Sequence, residues 1–290
     1  MAIDTLHEKI RKLKNPLIVD LSFAMEDVPE SVLQENPDAT AALEQYTALM
    51  LTALKGIVPG VRFSFSAAAL LGGEGLAMLS RLMKLAGELG FYVLLDAPAC
   101  NTPAAAQMAA QTIWQENSSY LCDGLVISAY IGSDAIKPFL PGCKDGNKDL
   151  FVVLRSPNKS ASELQDLMTG GRLVHGATAD LAARFGEPIF GKCGYSRVCG
   201  TVSAASPESI RSLRAKYKYM FFLVDGFDYP GANAKNCAFA FDRFGYGAAV
   251  CVGSAITGAW KTAENLSASE AAVAAAERIK GNLQRYFTIL

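Results

Sequence analysis

Short apolar runs recur along the chain at intervals that leave room for a helix: "LIVDL" (17–21), "VRFSF" (61–65), "YVLLD" (92–96), "GLVIS" (124–128), "LFVVL" (150–154), "VCGTV" (198–202), "MFFLV" (220–224) and "AAVCV" (248–252). The runs are nearly continuous in apolar character and do not alternate, a pattern that predicts parallel strands covered on both faces. Between them, apolar residues at helical spacing predict helices over 39–55, 74–89, 103–116, 133–140, 161–185, 207–216 and 269–286. Ser206-Pro207-Glu208 supplies an N-cap, a proline at the first helical position and an early acid. Gly90 ends the helix before the third strand. The opening "MAIDTLHEKIRKLKNP" alternates charged and apolar residues and reads as an amphipathic helix, not a signal peptide.

Eight strands alternating with helices, without a long linker, predict an α/β fold: a (β/α)₈ TIM barrel forming a single domain over 1–290, with an added N-terminal helix. A doubly wound open sheet is the alternative. Its first strand–helix turn needs a glycine-rich phosphate loop, and here that turn reads "VDLSFAMEDVPE".

Composition narrows the partners. Of the 290 residues 51% are hydrophobic, enough for a large core, and the net charge of −1 gives no reason to expect nucleic acid or an anionic membrane surface. The longest apolar stretches break well before the ~20 residues of a membrane span. Seven cysteines without a CxxC pair read as reduced thiols in a cytoplasmic protein. The two histidines, His7 and His175, are far apart, and no metal site is expected.

In a barrel, chemistry sits at the C-terminal ends of the strands. Those ends carry Asp20, Ser22, Arg62, Ser64, Asp96, Ser128, Tyr130, Arg155, Asp225, Gly253 and Ser254. Any one of them reads equally well as a hydrogen-bonded strand-end residue. The convergence of Asp20, Arg62 and Asp96 is more specific, and these three are the candidate catalytic residues. Ser128, Tyr130 and Arg155 are candidates for binding a substrate.

Four stretches carry a resemblance: "LIVDLS", "VRFSFSAAALLGGEGLAMLSRLMKLAGELGFYVLLDA", "DGLVISAYIGSDAIKPFL" and "LFVVLRSPNKSASELQDL". In order and spacing, from about residue 15 to about residue 260, the chain resembles the bacterial second-group orotidine 5′-phosphate decarboxylases. "SAYIGSDAIKPFL" and "RSPNKSASELQDL" are the most specific pieces. The resemblance implies a barrel that works as a homodimer without cofactor, removing CO₂ from orotidine 5′-phosphate to give UMP in pyrimidine biosynthesis. The family's D-x-K-x-x-D motif begins on Asp96, but its lysine falls on Pro98, its second Asp on Asn101 and a following Thr on Ala105. The first-strand Asp falls on Asp20, and the lysine after the second strand falls on Arg62. At the phosphate end, "VDGFDYPGANAKN" places Asp228 and Pro230 in the family's glycine-rich loop, and "VGSAITGAW" lacks its arginine. Lys235 and Lys261 remain as possible sources of positive charge there.

These departures matter physically. Decarboxylation of such a substrate leaves carbanion character on the ring, which the family meets with a Lys–Asp array and a lysine proton donor. Pro98 carries neither charge nor a proton to give. Arg62 keeps its charge, but with a pKa above ~12 it is a poor donor. Asp96 is then expected to persist by pairing with Arg62. The leading expectation is a divergent member without ordinary decarboxylase activity, a binding or regulatory protein for a nucleotide or phosphorylated ligand. Two enzymatic readings stay open: a genuine decarboxylase in which Lys137 or Lys235 fills the gap, and a lyase using Asp20, Arg62, Asp96 and the loop thiol Cys100 on another small phosphorylated substrate.

Overall fold

Each run read as a strand forms one, displaced by no more than two residues at either end: β1 (Leu17–Leu21), β2 (Gly60–Ser64), β3 (Tyr92–Asp96), β4 (Gly124–Ser128), β5 (Asp149–Val153), β6 (Ser196–Ser203), β7 (Met220–Asp225) and β8 (Ala248–Val252). This is a computed structural model describing residues 2–36, 38–115 and 117–290. Every neighbouring pair is parallel, and β8 returns to β1 to close an eight-stranded barrel. The fold is a (β/α)₈ TIM barrel.

Because strand side chains alternate, each strand is apolar twice over. Leu17, Val19, Leu21, Val61, Phe63, Val93 and Leu95 face outward and pack with helix side chains such as Leu51, Met78 and Leu82. Ile18, Tyr92, Leu94, Val126, Phe151, Phe221, Leu223 and Cys251 form the interior cluster. Gly124 makes room there, since a Cβ at that position would stand 2.9 Å from the Tyr92 hydroxyl. The Tyr92 hydroxyl donates to Asp149 (2.7 Å), which also accepts from Arg197 Nε (3.2 Å), and all three residues are buried. The helix α1 (Ala2–Leu13) adds Ile3, Leu6 and Ile10 to the same cluster, at i, i+3 and i+7. That apolar stripe holds a terminal helix too short to persist alone in water.

The outer helices are α2 (Ala39–Leu54), α3 (Gly72–Glu88), α4 (Pro103–Ile113), α5 (Val174–Gly186), α6 (Pro207–Lys216) and α7 (Ala268–Gln284). Their starts are capped locally: Asp38 accepts from Ala41 N, Thr102 from Ala105 N, and Ser267 with Glu270 forms a capping box. Ser206 stands at the N-cap of α6 as read, but its side chain makes no cap hydrogen bond. α4 ends at Ile113; Glu116, the last residue assigned to this helix from sequence, lies outside the described residues.

Two helical readings are corrected. The span 133–140 forms two 3₁₀ turns, Gly132–Ala135 and Lys137–Phe139, and the short helix Leu140–Lys144 follows. Pro138 and Pro141 deny this stretch two backbone donors, which keeps its helical pieces short. The span 161–185 is broken by a hairpin of Met168–Thr169 with Arg172–Leu173. Gly170 and Gly171, both at positive φ, form its two-residue turn.

Among the described residues no helix is long and apolar enough to cross a membrane.

Candidate active site

The alternation that packs the barrel also builds its mouth. Two residues beyond Ile18 is Asp20, and two beyond Leu94 is Asp96, so both carboxylates stand above the apolar layer on the inner face. The register sets Asp20 beside Arg62, and Ser64 beside Asp96. The Arg62 guanidinium donates from Nη2 to Asp20 Oδ2 (2.5 Å). It also makes a two-pronged contact with Asp225 at the end of β7, at 2.8 and 3.2 Å. Burial opposes a charge on Arg62, but the carboxylates of Asp225 and Asp20 outweigh it and raise its pKa above the usual guanidinium range. Asp20 is further held by the Ser22 hydroxyl, and Asp225 by the Gly226 N–H (2.8 Å).

Asp96 therefore does not pair with Arg62, as the sequence had suggested. It shares the mouth, close enough to feel Arg62, Asp225 and Asp20, but the guanidinium is already bound by the other two acids. Its carboxyl is open to the mouth, yet the surrounding side chains exclude much of its solvent. That desolvation, reinforced by repulsion from Asp225 and Asp20, raises its pKa to about 6 against the attraction of Arg62. Asp96 is thus a carboxyl able to hold or release a proton near neutrality.

On one side of this cluster lies a cavity of about 220 Å³ lined by Asp20, Phe23, Tyr46, Thr47, Asp228 and Ser254 among others. Its far wall is tied by Asp27, which accepts from the Thr257 hydroxyl (2.6 Å) and from Lys261 Nζ (2.8 Å). Lys261 is therefore held by Asp27 and is not free for a phosphate. The Asp228 carboxylate sits on the backbone of the turn after β8, accepting from Gly253 N (2.7 Å) and Ala255 N (3.0 Å). Burial raises its pKa, with Asp20 and Asp27 adding to the effect, although the two N–H donors oppose them.

The remaining candidates are less gathered. Arg155 is buried at the rim, its guanidinium held by Asp166 (3.0 Å twice) and by the Ser156 carbonyl (2.6 Å). It lines a second mouth cavity of about 350 Å³ with Lys159, Ser203 and Tyr229. Ser128 ends β4 in an exposed position, and Tyr130 is 81% exposed. Lys235 is exposed on the short helix Ala234–Ala238. Pro98, Asn101 and Ala105 occupy the segment from β3 into the first turn of α4. Cys100 donates to the Pro98 carbonyl (3.3 Å), and burial raises its pKa, which disfavours the thiolate a nucleophile needs. All seven cysteines are free, and among the described residues no group of three or more His, Cys, Asp or Glu is placed to hold a metal ion. Asp225 was legible as a strand-end acid but not as the second partner of Arg62.

The fold and its mouth define a (β/α)₈ barrel with a charged cluster at the C-terminal ends of β1, β2, β3 and β7. The chain is homologous to orotidine 5′-phosphate decarboxylases along most of its length. It is 27% identical over 266 residues to the enzyme of that name from Clostridium kluyveri, covering 91% of this chain and 90% of the relative. With the one from Rhodopirellula baltica it is 28% identical over 254 residues, covering 84% of each. Among solved structures it superposes on Leishmania donovani OMP decarboxylase with a TM-score of 0.74 at 21% identity, covering 98% of both chains. On the orotidine 5′-monophosphate decarboxylase of Plasmodium berghei the TM-score is 0.77 at 13% identity, again covering 98% of both. No family model matches the chain. The resemblance read from the sequence is borne out.

Proposed function

We propose that this barrel is an orotidine 5′-phosphate decarboxylase relative that has lost ordinary decarboxylase activity and acts as a binding or regulatory protein for a small pyrimidine-like ligand. The observation that supports this most is the state of the charged cluster. Where the resemblance expects lysine ammonium groups, the chain has Pro98 and an arginine clamped between Asp20 and Asp225. A clamped guanidinium stabilises its neighbours but does not give up a proton. In this reading Asp20, Arg62 and Asp225 shape the floor of the ligand site. Ser128, Tyr130, Arg155 and Lys235 are rim residues through which a ligand would be contacted. No cofactor takes part.

A second reading draws on one feature. Asp96, raised to about 6 and unpaired with Arg62, is suited to general acid–base work on a different small substrate.

The assembly belongs to the same proposal. The β2–β4 side of the barrel exposes Leu70, Met108 and Leu121, and we infer that a second copy covers them in a homodimer. A cytoplasmic setting accords with seven free cysteines.

The proposal is tested by growth. A host lacking its own decarboxylase and carrying this gene should fail to grow without uracil, although the protein is expressed and folded. Growth restored to the level given by a working decarboxylase would overturn it.

A further inference from the structure

The loop after β7 folds its own acid onto the turn after β8. Asp228 Oδ2 accepts from Gly253 N at 2.7 Å, and Asp228 Oδ1 accepts from Ala255 N at 3.0 Å. Gly253 permits that approach, because a Cβ there would stand 3.2 Å from Asp228 Oδ2 and 3.7 Å from the Asp20 Cβ. In barrels of this class the loops after the seventh and eighth strands are a frequent place for backbone donors to hold a phosphate. Here a carboxylate of the chain itself has taken them.

The surrounding charges leave little for a second anion. Arg62 is bound by Asp20 and Asp225, and Lys261 by Asp27. The cavity beside Asp228 is also faced by Asp20 and Asp27. A phosphate dianion entering this end would have to displace Asp228 from two hydrogen bonds and then stand among three carboxylates.

We propose that Asp228 is a specificity-determining residue, an internal anion that closes the β8 turn to phosphate and confines the mouth to ligands without a phosphate at that end, of nucleoside or free-base size. The inference rests on the reading of the mouth as a small-ligand site and narrows its ligand class. Asp228→Ser removes the anion and leaves the backbone donors open, whereas Asp228→Asn keeps the shape without the charge.

The test titrates uridine and UMP against the wild-type protein and both variants, following the Gly253 and Ala255 amide resonances and the heat of binding. In the wild type, millimolar UMP should leave both amides unshifted, and UMP should bind no more tightly than uridine. Asp228→Ser should gain UMP affinity by about tenfold or more with uridine unchanged, and Asp228→Asn should gain less, since its amide oxygen still occupies one of the two backbone donors. Wild-type amides that shift with UMP would overturn the proposal even if neither variant folds. A folded Asp228→Ser protein with no gain in UMP affinity would also overturn it. UMP binding that shifts the wild-type Gly253 and Ala255 amides, without turnover of orotidine 5′-phosphate, refutes this inference alone, whereas turnover refutes the loss of decarboxylase activity.

Discussion

Replacing Arg62 with methionine keeps most of the side-chain volume and removes the cation at the centre of the mouth. Two carboxylates then face each other without a counter-charge. Asp20 and Asp225 contact the guanidinium at 2.5 and 2.8 Å, and their side chains are only 17% and 23% exposed. At an effective dielectric near 20, an ion pair at about 4 Å is worth roughly 4 kcal/mol before desolvation. Breaking a buried pair from one side typically costs about 3–5 kcal/mol, because a charge is stranded. Partial solvent access at the acids favours the lower end, roughly 3 kcal/mol. For a chain of this size, at about 2–4 °C per kcal/mol, the melting temperature should fall by roughly 6–12 °C. Differential scanning calorimetry at neutral pH measures this directly. Adding Asp225→Asn to Arg62→Met should recover part of the loss, since the two positions act as a pair. A melting temperature unchanged at neutral pH would refute the clamp.

Other expectations follow from single groups. Asp96 has a folded pKa raised to about 6 from an ordinary carboxylate value near 4, so its ionisation costs stability as pH rises through that window and costs nothing below it. Asp96→Asn should therefore raise the melting temperature at about pH 8 and leave it unchanged at about pH 4, with a gain near 1 kcal/mol after allowing for exposure at the mouth; a loss at high pH would contradict the assignment. Arg197→Met strands the fully buried Asp149 beneath the barrel interior and should cost about 3–5 kcal/mol in urea unfolding, while the exposed Arg172→Met should cost less than about 1 kcal/mol. Light scattering should give a dimer mass for the wild type at micromolar concentration and a shift toward monomer for Met108→Glu, and a wild-type monomer would remove the inferred pairing.

The strands and the long helices were legible because a two-faced strand and a 3.6-residue stripe each leave a pattern in one dimension. The stretch 161–185 misled because its apolar residues kept helical spacing on both sides of Gly170-Gly171. That glycine pair was the turn signal that should have divided it. The members of the mouth were legible for a related reason, since Asp96 and Asp225 end apolar runs and Asp20 and Arg62 are charges set within them. Their pairing was not. Arg62 on β2 reaches Asp225 on β7, which is not a neighbouring strand, and in doing so leaves Asp96 unpaired. Choice of partner depends on where side chains converge inside a closed barrel, and spacing along the chain carries no record of it. The contact of Asp228 with the β8 turn was hidden in the same way, although its position in the loop marked it as unusual.

On the proposed function, the barrel keeps the decarboxylase scaffold without the chemistry. Loss of a general acid typically lowers a rate by about 10²–10⁴-fold, and loss of one preorganised electrostatic element by about 10²–10³-fold. Residues acting as a unit do not add strictly, but either loss alone separates the two cases. The direct measurement is release of labelled CO₂ from carboxyl-labelled orotidine 5′-phosphate, using protein purified from a host without its own decarboxylase. Release should be no faster than in the same solution without protein. Sustained turnover that Asp96→Ala abolishes would contradict it and would place the missing proton on Asp96.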